Sequence, residues 1–334
     1  MSNKPIVAVT MGDPCGIGPE IIVKALSHDE IKQACNLVVI GNSEILERSA
    51  FSMGIPWQVT RISSLKHYDD GGIAVIDNGK LDLASIEQGK VSPEAGRASV
   101  EWILEAAELI SSGQVQAIAT APINKEAAQL AGFAEVGHME ILQKFSGADE
   151  VATMLTAGNL RVVHLTTHRS LAKAVEFVTK QNVLDKIALT DRCFKEWGFS
   201  TPRIAVSALN PHGGEAGLLG REEIDEVIPA VESARASGMD VVGPIPADSV
   251  FHQAITGRYD AVVVLYHDQG HIPIKVLDFH GSVSVNLGLP FTRTSVDHGT
   301  AFDIAGQGVA NEEGMKNAIL AASFIAETGH LPSR

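Results

Sequence analysis

The chain has 334 residues and is 45% hydrophobic, enough to bury a substantial core, and its length suggests about two domains. Its 40 acidic residues exceed 26 basic ones, a formal net charge of −14, and no Lys/Arg-rich block stands out. That balance argues against nucleic acid or an anionic membrane as the main partner, because both reward clustered positive charge. Cys15, Cys35 and Cys193 are few and widely spaced, which fits a reducing cytosol and neither a disulfide framework nor a Cys-based zinc site. Met1 is followed by a polar stretch and a short strand, so no signal peptide is expected. The apolar runs fall far short of the ~20 residues a spanning helix needs.

Short β-branched runs alternate with longer amphipathic stretches, the pattern of an α/β protein with largely parallel sheets. Strands are expected at Ile6–Thr10, Asn36–Ile40, Gly72–Ile76, Val115–Ala119, Arg161–Thr166, Arg203–Ala208, Ala261–Leu265 and Val283–Asn286. Between the third and fourth, "SPEAGRASVEWILEAAELISSG" carries a full helix grammar: Ser92 at the N-cap, Pro93 in the first turn, Gly113 past the last turn. Ile103, Leu104, Ala107 and Ile110 form one apolar stripe of that helix, which should pack onto a sheet. No internal repeat, low-complexity tract or linker interrupts the pattern.

The first strand leads through "TMGDPCGIGPEIIVKAL" into a helix. Gly12, Gly16 and Gly18 let backbone N–H groups approach a ligand, and a helix N-terminus favours anions. The spacing matches neither the dinucleotide-binding glycine fingerprint nor a Walker A loop, and a purely structural turn is the alternative.

Three later strands run out into histidines: "LRVVHLTTHRS" to His168, "RIAVSALNPHGGE" to His212, "YDAVVVLYHDQGH" to His267. Loops at the carboxyl ends of parallel strands line one crevice, so three imidazoles delivered there converge on one ion without being close in sequence. Neutral imidazoles suit zinc and other borderline or harder divalent cations, with positions left for substrate. A histidine past a strand otherwise packs or caps a loop, and His164, His271 and His298 compete for ligand roles. Asp248, in "PADSV", adds a carboxylate near the ion or serves as the N-cap of the next helix. In "DHGTAFDIAGQGVAN", Asp297, His298 and Gly299 open a short apolar segment in a way no core helix would. Lys275 and Arg293 bracket "SVSVNLGLPF"; both suit phosphate or carboxylate, Arg through two parallel hydrogen bonds.

Seven motifs in order, "MGDPCGIGPE", "ATAPINKEA", "VGHME", "NPHGGE", "PADSVF", "YHDQGHIPIK" and "LPFTRTSVDHGTAFDIAG", make the chain resemble the 4-hydroxythreonine-4-phosphate dehydrogenase family over nearly its whole length. "YHDQGHIPIK" resembles the branch acting on 4-phospho-D-threonate or 4-phospho-D-erythronate rather than the pyridoxine-biosynthesis branch. The resemblance implies two α/β/α domains around a cleft, similar to isocitrate and isopropylmalate dehydrogenases and not a Rossmann fold. Residues 1–128 plus 287–334 would form the terminal domain and 129–286 the central one. It also implies a cytoplasmic homodimer with active sites at the subunit interface, NAD or in its place NADP, and one divalent cation: Zn, Mg, Co, Mn or Ni.

By motif, the family's metal ligands fall on His168, His212 and His267, with Asp248 as the aspartate near the metal. Substrate positions fall on His138, Lys275 and Arg293, and nucleotide positions on Gly12, Asp13, Gly16, Gly18, His298, Gly299 and Asp303. Two pocket positions depart from the family. Its G-H-T-E reads Gly137-His138-Met139-Glu140, exchanging a hydroxyl for a thioether that donates nothing. Ser284 takes an asparagine position, with Asn286 two residues on along the same strand face.

The implied reaction is oxidation of the 3-hydroxyl of a 4-phosphorylated four-carbon hydroxy acid, then decarboxylation. Lys275 and Asp248 are the candidate catalytic groups, Asp268 and Gln269 orient the loop around His267, and His271 is structural. The alternatives are a dehydrogenase of an unphosphorylated diol acid and a non-catalytic binding protein on the same fold.

Overall fold

The computed structural model describes residues 4–57, 59–67 and 73–332. In chain order it runs β1 (Ile6–Thr10), α1 (Gly18–Leu26), α2 (Asp29–Ala34), β2 (Asn36–Ile40), α3 (Ser43–Ser52), β3 (Val59–Ile62), β4 (Ile73–Ile76), α4 (Pro93–Ser111), β5 (Ala117–Thr120), α5 (Lys125–Leu130) and α6 (His138–Ser146). It continues with β6 (Ala152–Ala157), β7 (Leu160–His164), α7 (Leu171–Phe177), α8 (Lys180–Glu196), β8 (Ile204–Ser207), α9 (Ile228–Ala236), β9 (Val241–Ile245), α10 (Ala247–Ile255), β10 (Ala261–Val264), α11 (His267–Leu277), β11 (Val283–Leu287), β12 (Arg293–Val296) and α12 (Glu313–Thr328). Gly72, expected to open a strand, lies outside the described residues.

The chain divides into two compact units: residues up to Asp149 with Leu289–Thr328, and Glu150–Gly288 with the residues from Gly329. These boundaries differ from 1–128 plus 287–334 and 129–286. The first unit keeps α5 and α6 because both pack on α4. The C-terminal residues join the second unit through Arg161, whose Nη2 donates to Pro332 O at 2.8 Å, and His330, whose Nδ1 meets Trp197 O at 3.0 Å.

In the first unit the strands lie in the order β3-β4-β2-β1-β5-β12, with every pairing parallel. Such strands are covered on both faces and read as unbroken apolar runs, as "IVAVT" and "NLVVI" do. Helix α4 begins as its sequence dictates, with Ser92 Oγ accepting from Ala95 N at 3.2 Å. Its sheet-facing stripe, however, is Ala98, Trp102 and Ala106. Ile103 and Ala107, expected on the sheet, pack instead with Ala128 of α5 and Ile141 and Leu142 of α6. A periodic pattern reveals that a helix face is buried, not what covers it.

In the second unit the order is β11-β6-β7-β10-β8-β9. The pairings of β7, β10, β8 and β9 are parallel, while β6 pairs antiparallel with both β7 and β11. Val250 and Ala254 of α10 and Ile274 of α11 join Val162, Val262 and Val264 in one apolar cluster on the sheet. Among the described residues no helix is long and apolar enough to cross a membrane, and all three cysteines are buried and free.

Candidate active site

Four of the candidate residues leave the carboxyl ends of four neighbouring parallel strands. His168 follows β7, His267 follows β10, His212 follows β8 and Asp248 follows β9, the strands lying side by side in that order. Such ends are where open parallel sheets bind ligands. The rings of His168 and His267 have centroids 6.0 Å apart. Among the described residues, no three His, Cys, Asp or Glu side chains are gathered closely enough to share an ion. The structure therefore brings two of the three expected imidazoles together.

His212 sits in a turn in which His212, Gly213, Gly214, Glu215 and Ala216 all have positive φ. For the three non-glycine residues this left-handed geometry costs roughly 1–2 kcal/mol each. The buried carboxylate of Glu223 holds the turn's entrance, accepting from Leu209 N (2.8 Å), Asn210 N (2.6 Å) and Asn210 Nδ2 (2.9 Å). Nothing in "NPHGGE" announces that anchor, which arrives from the helical turn after Arg221.

"YHDQGHIPIK" was expected to be a loop, and the structure differs: α11 begins at His267 itself and runs through Pro273. Gln269 is buried and ties the new helix to two strand exits, its Oε1 accepting from Leu265 N at 2.8 Å and its Nε2 donating to Ala208 O at 2.7 Å. Lys275, in the last turn, donates from Nζ to Ser282 Oγ at 3.1 Å and lies 5.6 Å over the Phe279 ring. Ser284 and Asn286 share a face of β11, opposite Leu155 and Thr153 of β6, and both are buried. Asp248 is exposed and lies inside the first turn of α10; the cap position belongs to Pro246, so it is not the N-cap.

In the first unit, Arg293 opens β12 and is 4% exposed. Its Nε donates to Thr120 Oγ1 at 3.1 Å, and Nη2 reaches the same oxygen. Burial pulls the guanidinium down to about 9, against the opposing charge of Glu140. His138 begins α6 with its Nε2 buried and without a hydrogen-bond partner. Burial, and then the charge of Arg293, hold that imidazole well below its ordinary range, so it is neutral. Met139 follows it, partly exposed. Nothing in the sequence signals Thr120, since a threonine ending "AIAT" reads as ordinary strand.

The two nucleotide candidates are neighbours in this unit. Ile17 N donates to Thr300 O at 3.0 Å, and Gly306 N donates to the carboxylate of Glu20. Gly12 has φ +71°, and a Cβ there would lie 2.3 Å from Pro122 O. At Gly16 the obstructing atom would be Thr300 O, and at Gly18 Met11 O. The turn's own packing already requires these glycines. Asp13 is fully buried and its carboxyl is raised to about 6 by burial, while His298, Gly299 and Asp303 are exposed.

The histidines fit a borderline divalent cation by chemistry. His267 Nδ1 lies 2.7 Å from Asp268 Oδ1, and His212 Nδ1 lies 2.8 Å from Glu215 Oε1. A carboxylate at Nδ1 leaves Nε2 with its lone pair outward and raises its basicity, the usual arrangement behind a metal-bound imidazole.

Fold and side chains together define an α/β protein whose neighbouring parallel strands deliver imidazoles at their carboxyl ends. The family description of pyridoxal phosphate biosynthetic protein PdxA matches residues 33–322. The chain belongs to that family. It is 45% identical, over 97% of its length and 98% of the relative's, to a Halalkalibacterium halodurans protein provisionally named D-threonate 4-phosphate dehydrogenase. A crystal structure of 4-hydroxythreonine-4-phosphate dehydrogenase from Klebsiella pneumoniae superposes with a TM-score of 0.88 at 43% identity, covering 96% of this chain and 99% of that one. A terephthalate 1,2-cis-dihydrodiol dehydrogenase from Burkholderia xenovorans LB400 superposes with a TM-score of 0.62 at 30% identity, covering 98% and 99%.

Proposed function

We propose that the chain is an NAD- and divalent-metal-dependent dehydrogenase. It oxidises the 3-hydroxyl of a 4-phosphorylated four-carbon hydroxy acid, 4-phospho-D-threonate or 4-phospho-D-erythronate ahead of 4-phosphohydroxy-L-threonine, and the product loses CO2. The observation that carries this reading is the buried Arg293 fork beside a neutral His138: a desolvated guanidinium binds phosphate or carboxylate far more strongly than an exposed one. A bound cation would be held by His168, His212 and His267 and would supply Lewis-acid chemistry, and a dinucleotide would lie along Gly12–Gly18 and His298–Asp303 and would supply the hydride acceptor. Arg293 and His138 bind an anionic group of the substrate, and His138, being neutral, donates a hydrogen bond without adding charge. Lys275 Nζ, steadied by Ser282 Oγ, accepts the hydroxyl proton, with Asp248 as the alternative carboxylate base. Oxidation leaves a ketone β to the carboxylate; breaking that carbon–carbon bond releases CO2 and puts its electron pair into an enolate, which is then protonated.

The enzyme works as a cytoplasmic homodimer with its active sites at the subunit interface. Ile272, Val276 and Phe279, exposed along and just beyond α11 beside Lys275, support that assembly. A second reading, an unphosphorylated diol acid as substrate, is favoured by Met139 and by the likeness to the dihydrodiol dehydrogenase. The test is NADH formation with a divalent cation and the three phosphorylated substrates side by side. Turnover of a sugar-acid phosphate alone is the expected result; silence on all three, with activity on a diol carboxylate, would overturn it.

A further inference from the structure

Behind His267 stands a column of imidazoles that the reaction does not explain. His271, one helical turn along α11 and therefore on the same face, stacks on His267 with centroids 3.6 Å apart and planes 8° from parallel. His271 Nδ1 lies 3.1 Å from His267 O; a carbonyl only accepts, so the proton of His271 is on Nδ1. His271 in turn lies 4.7 Å, tilted by 55°, from His164 at the end of β7. His164 is 2% exposed at the end of that buried strand. Gly270 makes this approach feasible: a Cβ there would lie 2.4 Å from His164 Nε2 and 2.8 Å from Val162 Cγ1 and Val264 Cγ2. The start of α11 is thus pressed onto β7 and β10, with His164 filling the space beneath it.

We infer that His271, backed by the buried His164, is a positioning residue that fixes the plane of the His267 ring. The inference rests on His267 being a metal ligand. Its ring has two evident restraints, and they differ in strength. Asp268 holds Nδ1, but that carboxylate is 70% exposed, where solvent screens and competes for an ion-pair bond. The face of the ring is covered by His271, a rigid group whose other side rests on the packed interior. Rotation of His267 out of plane must therefore displace His271, which His164 backs on its other side.

Cobalt(II) alone is titrated into the full-chain protein and into four variants, following its visible absorption bands, with a thermal melt of each as a control for folding. His267→Ala should lose the bands. His271→Ala and His271→Leu should bind cobalt about tenfold more weakly with altered bands, the low end of losses seen when a ligand's supporting partner is removed. His271→Phe keeps a flat ring and should restore wild-type affinity at a similar melting temperature. Undiminished binding in His271→Ala, or in His271→Leu should the alanine variant not fold, overturns the inference, and so does failure of His271→Phe to rescue. Undiminished binding in His267→Ala overturns the metal assignment itself.

Discussion

Asp13 accepts the backbone N–H of Cys15 through Oδ1 at 2.8 Å, while its other oxygen is buried with no hydrogen-bond partner. One bond does not offset full burial of a carboxylate, so its pKa rises from 3.8 to about 6. The same burial, with the Asp13 charge, pushes the Cys15 thiol up to about 12 and leaves it unreactive at neutral pH.

A raised carboxyl pKa means that the folded chain holds the proton more tightly than the unfolded one. The contribution of Asp13 to stability is then fully present below pH 3.8 and is lost as pH rises through about 6. At about 1.4 kcal/mol per unit, the loss approaches 3 kcal/mol. Asp13→Asn keeps the acceptor for Cys15 N and removes the charge. Relative to wild type it should gain up to about 3 kcal/mol between pH values below 3.8 and above 6, read from denaturant unfolding at the two extremes. Parallel curves would remove the argument.

Glu223 is the second test. Its carboxylate organises three donors at the entrance to the left-handed turn that carries His212. Glu223→Ala strands two backbone N–H groups, and should cost about 3 kcal/mol in a thermal or denaturant melt, since hydrogen bonds to charged groups contribute about 1.5–3 kcal/mol each and overlap here. A turn that loses its anchor also loses its strained geometry, so turnover should fall by about tenfold or more, as when a ligand's support is removed. A fully active Glu223→Ala would separate His212 from the chemistry.

Much of this was legible in the sequence, and the parts that were not share a physical reason. Strands β1 and β2 lie where their unbroken apolar runs put them, because a strand covered on both faces has no choice of residue. Strand β12, "RTSV", was invisible since Arg293, Thr294 and Ser295 are buried for their hydrogen bonds rather than their hydrophobicity. Strand β9, "VVGPI", contains Gly and Pro, and it lies at the edge where a missing N–H is tolerated. The same limit applies at the site. The strand-exit histidines could be read from context, but the face-to-face contact of His271 with His267 depends on α11 starting at His267, which a Pro-containing stretch does not advertise.

Arg293 offers a sharper test of substrate charge. Its buried fork is planar, and lysine has a single point charge with no second parallel bond. Arg293→Lys should lower kcat/KM for a phosphorylated substrate by roughly 10- to 100-fold, the equivalent of one charge-assisted hydrogen bond. An effect on kcat/KM of an unphosphorylated diol carboxylate should be smaller if Arg293 binds phosphate and equal if it binds the carboxylate, so the two substrates together decide which anion it takes.

We propose that Met139 sets specificity by what it lacks. It follows His138 in the first turn of α6, where the family pattern has a hydroxyl. A thioether packs against carbon and at best accepts weakly, so a substrate amine or hydroxyl that a threonine would bond is left to find another partner. Met139→Thr restores one neutral hydrogen bond, about 1 kcal/mol, and so should shift the ratio of kcat/KM toward 4-phosphohydroxy-L-threonine, relative to 4-phospho-D-threonate, by about fivefold. The ratio is the quantity to measure, because any general loss from repacking α6 divides out of it. An unchanged ratio would place the source of specificity elsewhere, with Ser284 and Asn286 on β11 as the next positions to exchange.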